Sequence, residues 1–139
     1  MIIKYDDIEM AFEFVSSGMQ YENYAVIDIK TGKIHYSSEM SDIDEIPEEF
    51  ENDPDRYIGI PHKNDLDLGR NLVFNFSNQF LQDDISYIHE IFSRKGAYHK
   101  YKMHLDTKGL LDKWYQFEEE EKTEALKEWC MENKIEFSA

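Results

Sequence analysis

The stretch YAVIDIKTGKIHYSS, residues 24–38, decides the fold. It contains two strand-like runs, YAVIDI and KIHYSS, joined by a short connection that includes Gly32. β-Branched and aromatic residues favour strands, and a glycine-containing connection between two such runs is typical of a hairpin. We therefore expect an antiparallel β-hairpin over residues 24–38.

Most of the chain around the hairpin shows helical periodicity instead. Apolar residues at helical spacing predict a helix before the hairpin, over residues 7–17. A short strand over residues 57–60 follows the hairpin, and four further helical patterns come after it. Their marker residues are Leu66, Leu72, Val73, Phe76 and Phe80; Ile85, Ile88, Ile91 and Phe92; Tyr98, Tyr101 and Leu105; and residues 111–129.

This order of elements predicts an α+β fold. We expect an N-terminal helix, a small antiparallel sheet made of the hairpin plus one or two short strands, and a C-terminal group of about four helices. A chain of 139 residues is long enough to bury a core as a single domain over 1–139.

The composition is strongly acidic, with 30 Asp and Glu against 15 Lys and Arg, a net charge of -15. Residues 39–55 hold nine acidic and no basic residues, which predicts an acidic loop or insertion, either solvated or partly disordered. The electrostatic field of a chain with this net negative charge repels phosphate backbones, so nucleic acid is an unlikely partner for the whole surface.

Compartment and membrane signals point to the cytoplasm. Cys130 is the single cysteine, so no internal disulfide can form and a reducing compartment fits. No run approaches the roughly 18 apolar residues of a membrane span, and acidic residues interrupt the N-terminus before a signal peptide could accumulate. We expect a cytoplasmic protein without membrane association.

Residues 60–76, IPHKNDLDLGRNLVFNF, place charged side chains at the predicted start of the second helix. Asn64 is a suitable N-cap with an aspartate three residues on, which explains NDLD without a ligand. His62 and Lys63 stay unexplained, because cations beside a helix N-terminus are unfavourable unless an anion joins them. The alternative is a small anionic ligand held by His62, Lys63 and Arg70, with His62 as proton shuttle.

Residues 94–108, RKGAYHKYKMHLDTK, form the only basic stretch, with a local charge of about +4. Basic residues interleaved with tyrosines hold nucleotides or single-stranded nucleic acid in some proteins. The alternative is that this face offsets acidic residues elsewhere in the chain. The predicted basic face comprises Arg94, Lys95, Lys100, His104 and Lys108.

No pattern indicates catalysis or a cofactor. The five histidines lack metal-ligand spacing, and no glycine-rich phosphate loop is present. Cys130 fits a packed thiol better than a nucleophile. Glu118 falls within the apolar stripe of the fifth helix. It is either a functional carboxylate, the mark of a break near residues 119–121, or part of a stripe that solvent half covers. We expect no catalytic residue, metal or cofactor.

Four phrases together resemble a known family: IPHKNDLDLGRNLVFNF, FSRKGAYHKYK, GLLDKWYQFE and ALKEWC. They are similar to uncharacterised protein family 0158, and the likeness extends over most of the chain, from YDDIEMAFEFVSSG to EWCMENKI. The resemblance implies a bacterial cytoplasmic protein. The family has no assigned activity, so the resemblance implies no catalytic residues.

We expect a non-enzymatic binding or regulatory module that recognises a protein partner through its acidic surface. The alternative is a small-molecule binding protein or enzyme with a site at the start of the second helix, around His62, Lys63 and Arg70. A third hypothesis, an acidic mimic of nucleic acid, requires the carboxylates of residues 39–55 to lie along one face.

Overall fold

The computed structural model describes residues 1–139, which divide into two compact units. Unit 1 comprises Met1–Leu66 and Ala125–Ala139, and unit 2 comprises Asp67–Glu124. Folding of the two units as one domain stays a prediction. In chain order the elements are β1 (Ile3–Lys4), α1 (Tyr5–Ser16), β2 (Asn23–Asp28), β3 (Ile34–Ser38), β4 (Ile43–Asp44), β5 (Tyr57–Gly59), α2 (Arg70–Phe80), α3 (Ile85–Ile91), α4 (Ala97–Thr107), α5 (Leu111–Glu132) and β6 (Phe137–Ser138).

Unit 1 is built on the predicted hairpin. β2 pairs with β3 antiparallel, with Val26 opposite His35, and its other edge pairs with β5. Gly32 closes the turn at a φ of 78°, a left-handed conformation that glycine adopts without strain, and its N–H donates to the Asp28 carbonyl oxygen at 2.7 Å. β4 adds a strand beside β3, which completes the order β4-β3-β2-β5. The predicted α+β class, with a hairpin plus two short strands, is confirmed.

The predicted N-terminal helix covers one face of this sheet. Its buried side chains are Ile8, Ala11, Phe12 and Val15, the positions with helical spacing in the sequence. The central strand β2 buries four consecutive residues, Ala25 to Asp28. A β-strand that is covered on both faces reads as a continuous apolar run, and Asp28 is the polar exception in this one.

A second, two-stranded parallel sheet joins the chain termini and was not predicted. Ile3 of β1 lies opposite Phe137 of β6, and the Ile3 N–H donates to the Glu136 carbonyl oxygen at 3.0 Å. Two-residue strands are too short for a period-2 pattern, so neither could be distinguished in the sequence.

Unit 2 is helical and packs around aromatic side chains. Trp114 is fully buried, with the rings of Phe76 and Tyr101 meeting it edge-on at centroid distances of 5.3 and 5.1 Å. Such edge-to-face pairs add to the stabilisation from burial. The buried members of this core are Leu72, Val73, Phe76, Leu81, Ile88, Ile91, Phe92, Tyr101, Leu105 and Trp114.

The fifth helix runs without interruption over Leu111–Glu132, so the break considered near residues 119–121 is absent. Its residues up to 124 belong to unit 2 and the later ones to unit 1. Trp114 is buried in the first part, and Leu126 and Cys130 are buried in the second. Glu118 is exposed between them, which removes the reason to expect a buried functional carboxylate there.

The predicted start of the second helix is wrong by five residues, because the N-cap is Gly69 and not Asn64. Residues Lys63–Leu66 form a separate short 3-10 helix, and α2 begins at Arg70 after Gly69. Asp67 adopts a φ of 56°, a left-handed conformation that interrupts the backbone between the two helices. Asn64 therefore caps no α-helix.

Candidate functional site

The acidic segment, residues 39–55, is folded rather than extended. It contains β4 and two short 3-10 helices, Glu48–Phe50 and Pro54–Arg56. Eight of its nine carboxylate side chains are exposed, and the remaining one, Asp53, is half-buried. No helix or strand carries more than two of these carboxylates, so the regular row needed by a mimic of nucleic acid has no element to support it.

A buried ion pair anchors the end of this segment to the sheet. The Arg56 guanidinium forms two hydrogen bonds with the Asp28 carboxylate, Nε to Oδ1 at 2.9 Å and Nη2 to Oδ2 at 2.7 Å. The Lys30 backbone N–H also donates to Asp28 Oδ1, at 3.0 Å. The Arg56 guanidinium holds the pKa of the Asp28 carboxyl well below its usual range, although burial acts in the opposite direction.

The sequence did not predict the ion pair between Asp28 and Arg56. Its members are 28 positions apart, and no local spacing connects them. The one available signal was an aspartate at the end of an otherwise apolar strand. A buried carboxylate requires a partner, and that signal predicts a cation without identifying which one.

The acidic segment encloses a shallow depression with an apolar floor. Its cavity volume is about 360 Å³, and its apolar lining comes from Ile46, Pro47 and Phe50. The Phe50 ring packs on Tyr57 of β5 at a centroid distance of 5.7 Å, which fixes the floor to the sheet. Acidic side chains form the rim of the depression: Asp44, Glu48 and Glu51.

Charge is distributed unevenly between the two units. Unit 1 holds 19 acidic and 7 basic residues, a net charge of -12. Unit 2 holds 11 acidic and 8 basic residues, a net charge of -3. The negative electrostatic potential around this chain therefore originates mainly in unit 1.

His62 lies inside unit 1 with both ring nitrogens occupied. Nε2 is 2.9 Å from the Gly18 carbonyl oxygen, and Nδ1 accepts the Asn64 N–H at 3.0 Å. A carbonyl oxygen only accepts and a backbone N–H only donates, so these contacts require a neutral ring protonated at Nε2. Asp65 Oδ2 accepts the His62 N–H at 3.0 Å. His62 and Asp65 thus form a reciprocal cap on the 3-10 helix, as in a capping box.

The other two predicted ligand-binding residues are placed differently. The Lys63 N–H donates to Ser16 Oγ at 3.0 Å, which ties the 3-10 helix to α1. Arg70 belongs to unit 2, where its guanidinium carbon lies 5.8 Å from the centre of the Phe92 ring. These contacts account for the His62 ring and the Arg70 guanidinium, whereas the Lys63 contact involves only its backbone N–H. A ligand site around the three residues stays a prediction.

The basic face predicted over residues 94–108 divides into paired and exposed side chains. His104 Nε2 donates to Asp84 Oδ2 at 3.1 Å, and Lys108 Nζ lies 3.6 Å from the same oxygen. These two partners hold the pKa of the Asp84 carboxyl below its usual value, the His104 hydrogen bond having the larger effect. Arg94 Nη2 lies 3.6 Å from Glu90 Oε1. The side chains of Lys95 and Lys100 are exposed.

The tyrosines of this stretch do not form one surface with the basic residues. Tyr98 is partly exposed and meets Phe92 edge-on, whereas Tyr101 is fully buried. The Tyr101 hydroxyl and the Trp114 Nε1 are both buried without a hydrogen-bond partner. Ser77, also buried in this unit, donates its hydroxyl to the Val73 carbonyl oxygen at 2.8 Å. Of the two tyrosines in residues 94–108, only Tyr98 is therefore accessible for stacking with a base.

Other potentially reactive groups are arranged as structural residues. Cys130 is buried, and burial raises the pKa of its thiol to about 11, which disfavours the nucleophilic thiolate. No group of three or more His, Cys, Asp or Glu side chains is placed to hold a metal ion. None of the helices combines the length and the apolar character that crossing a membrane requires.

The fold and surface define an α+β protein with an acidic unit built on a four-stranded sheet and a second, helical unit. The chain belongs to an uncharacterised protein family, UPF0158, whose model matches residues 2–139. The resemblance noted in the sequence is thereby confirmed. No curated protein and no solved structure matches the chain.

Proposed function

We propose that this chain is a cytoplasmic, non-enzymatic binding or regulatory module that recognises a basic protein partner through the acidic segment of unit 1. The observation that supports this proposal is the combination of exposed carboxylates with a fixed apolar floor. Three exposed carboxylates, Asp44, Glu48 and Glu51, line a depression together with Ile46, Pro47 and Phe50, and five more are exposed elsewhere in the segment. Apolar contact at the centre and charge at the rim is the usual anatomy of a protein interface.

The anchoring of the segment adds to this support. Two hydrogen bonds between Arg56 and Asp28 and the packing of Phe50 on Tyr57 hold the acidic segment against the sheet. A preorganised surface loses little conformational entropy when a partner binds, which favours affinity. The net charge of unit 1 accelerates encounter with a basic partner and repels nucleic acid and anionic membranes.

The experiment is crosslinking and capture of partners by the tagged full chain, followed by mass spectrometry and direct binding with each purified partner. The test variant replaces Glu48, Glu49 and Glu51 with glutamine. A matched control replaces three exposed glutamates of α5 with glutamine, so that the total charge changes equally: Glu120, Glu124 and Glu128.

We expect the wild type and the control to retain a partner with a basic surface, and the test variant to lose it. Binding should also weaken steeply between about 50 and 300 mM salt, because exposed charges are screened over this range. Equal capture by all three chains would contradict the proposal, as would a partner whose affinity is independent of salt. A third variant, Lys100→Ala with Lys108→Ala, tests the basic face and should leave capture unchanged.

A further inference from the structure

The three most exposed large apolar side chains of the protein lie at one edge of unit 1. Met19, Tyr21 and Met40 are 75%, 71% and 76% exposed, respectively. Single exposed apolar residues are common on protein surfaces, whereas a group of them surrounded by charge marks an interaction site. We refer to these three residues as the apolar edge.

Local hydrogen bonds bring the three residues together around Glu22. The Met19 N–H donates to Glu22 Oε2 at 3.0 Å, and the Glu22 N–H donates to the Met19 carbonyl oxygen at 3.1 Å. Across the sheet, the Glu39 N–H donates to the Glu22 carbonyl oxygen at 3.1 Å. Met40 follows directly, with its N–H 3.3 Å from Ser38 Oγ. The apolar edge is therefore part of the folded end of the β2–β3 pair.

Tyr21 adopts a backbone conformation that L-residues avoid. Its φ is 74°, in the left-handed region where glycine or asparagine would carry less strain. Strained residues persist only where the surrounding structure imposes them, and they are frequent at binding sites. The turn closed by Met19 and Glu22 imposes this conformation. An exposed tyrosine contributes little to folding here, but tyrosine is among the residues that contribute most at interfaces.

The surroundings of the apolar edge are acidic. A second shallow depression, with a cavity volume of about 410 Å³, includes Glu39, Asp42 and Asp44 in its lining. Asp44 also lines the depression described above. Asp44 thus connects the two depressions, and Met40 lies in the chain between two residues that line the second one, Glu39 and Ser41. Methionine side chains adapt their shape to different partners, which suits recognition of irregular apolar side chains.

We propose that the apolar edge docks a basic amphipathic helix of a partner protein, with Met19, Tyr21 and Met40 contacting its apolar face and Glu22, Glu39 and Asp42 pairing with its lysines or arginines. This inference rests on the proposed function and specifies the chemistry of the partner. A second copy of the chain is a poor occupant, because a two-fold interface would bring the same acidic rims together. A helix with one apolar face and one basic face matches both features of this surface.

The probe is a fluorescein-labelled 18-residue peptide of leucine and lysine arranged at helical spacing, added to the full-length protein. Binding is measured by fluorescence anisotropy at about 50 mM salt. The test variant is Met19→Ala with Met40→Ala. The matched control is Met103→Ala with Met131→Ala, which removes two other exposed methionines of 58% and 69% exposure that lie on α4 and α5.

We expect the test variant to bind the peptide at least about tenfold more weakly than the wild type, and the control variant to bind within about twofold of it. Methyl NMR provides an independent readout in the unmodified protein. The methyl signals of Met19 and Met40 should shift on titration, while those of Met103 and Met131 should not. Tyr21→Asn should weaken binding and raise thermal stability together, since it removes the ring and relieves the backbone strain.

Equal binding by the test and control variants would overturn the inference, as would an absence of binding to the wild type at about 100 µM protein. Tight binding of a peptide with glutamate in place of lysine would overturn it as well. If the Glu48, Glu49 and Glu51 variant loses its captured partner but Met19→Ala with Met40→Ala retains it, the proposed function stands and the apolar edge is not the docking site. Failure of the proposed function is seen separately, as equal partner capture by all charge variants.

Discussion

The ion pair between Asp28 and Arg56 allows a quantitative prediction about how the acidic segment is held. Replacing Asp28 with asparagine preserves the size of the side chain but removes its charge and one of its two strong acceptor oxygens. Asp28 is buried at 4% exposure and accepts three hydrogen bonds, two of them from Arg56. The variant therefore leaves a guanidinium without its counter-charge.

The magnitude follows from the hydrogen bonds that are lost. A hydrogen bond to a charged group contributes about 1.5–3 kcal/mol. An asparagine oxygen in the place of Oδ1 still accepts two of the three, from the Lys30 N–H and Arg56 Nε, but the bond from Arg56 Nη2 to Oδ2 and the charge are lost. The Arg56 side chain is 25% exposed, so water partly replaces the lost contact and the lower part of the range applies. We expect Asp28→Asn to lower the free energy of unfolding by about 2 kcal/mol. For a chain of 139 residues this is a fall of about 7 °C in Tm.

The effect also depends on pH with a definite sign. The Arg56 guanidinium lowers the pKa of Asp28 from an ordinary value of 3.8. A lowered pKa stabilises the folded state above the ordinary value, and this stabilisation is lost as the pH falls through the folded pKa. The difference in Tm between wild type and Asp28→Asn should therefore be constant above about pH 5 and should shrink below pH 4.

Urea denaturation at pH 7, with Tm measured from pH 2.5 to pH 7, checks both parts. The control is Asp42→Asn, which removes an exposed carboxylate of the same segment and should change the free energy of unfolding by less than about 0.5 kcal/mol. A loss below about 0.5 kcal/mol for Asp28→Asn, or a Tm difference that does not shrink in acid, would refute the anchoring role of this pair.

Three further predictions concern individual side chains. Tyr101→Phe should stabilise unit 2 by up to about 1 kcal/mol in urea denaturation, because it removes a buried hydroxyl whose neighbour Ser77 already donates its own hydroxyl to the Val73 carbonyl oxygen. Burial raises the pKa of this phenol, so the wild type should lose more stability than the variant above pH 10. His62→Ala should lower the free energy of unfolding by about 2 kcal/mol, since it leaves the Gly18 carbonyl oxygen and the Asn64 N–H unpaired. ¹⁵N NMR of the wild type should show His62 protonated at Nε2, and protonation at Nδ1 would contradict the capping role. Gly96→Ala should lower the free energy of unfolding by about 1 kcal/mol, because φ at this position is 73° although an added Cβ would meet no atom. Gly59→Ala, where a Cβ is equally unobstructed and φ is not positive, should be near neutral, and equal effects of the two substitutions in thermal unfolding would refute this account.

The sequence was sufficient to predict an element of structure where its local pattern and its tertiary environment agree. The hairpin over residues 24–38 was evident because its strands and its glycine turn are encoded by adjacent residues. The helix over 7–17 was evident because its four apolar positions are the ones that it buries in the folded chain. Family membership was equally accessible, since it depends on the letters alone.

The predicted start of α2 was wrong for a physical reason. Residues 64–67 contain suitable capping side chains, but the cap that forms in the structure belongs to the short 3-10 helix and begins earlier in the chain. His62 acts as the cap residue and Asp65 as its reciprocal acceptor, two positions earlier than predicted. Local signals identify a helix start, but the length of the helix that follows is decided by what it packs against.

Only the tertiary structure decided the features on which function depends. The contact of Arg56 with Asp28, the pairing of Ile3 with Phe137 and the hydrogen bond from Glu39 to Glu22 all join residues that are distant in the sequence. Charge and hydrophobicity are properties of single residues and can be read from the chain. Burial and proximity are properties of the folded packing. The sequence therefore determined that this protein is acidic and α+β, and the fold determined which of its side chains are buried, paired or exposed.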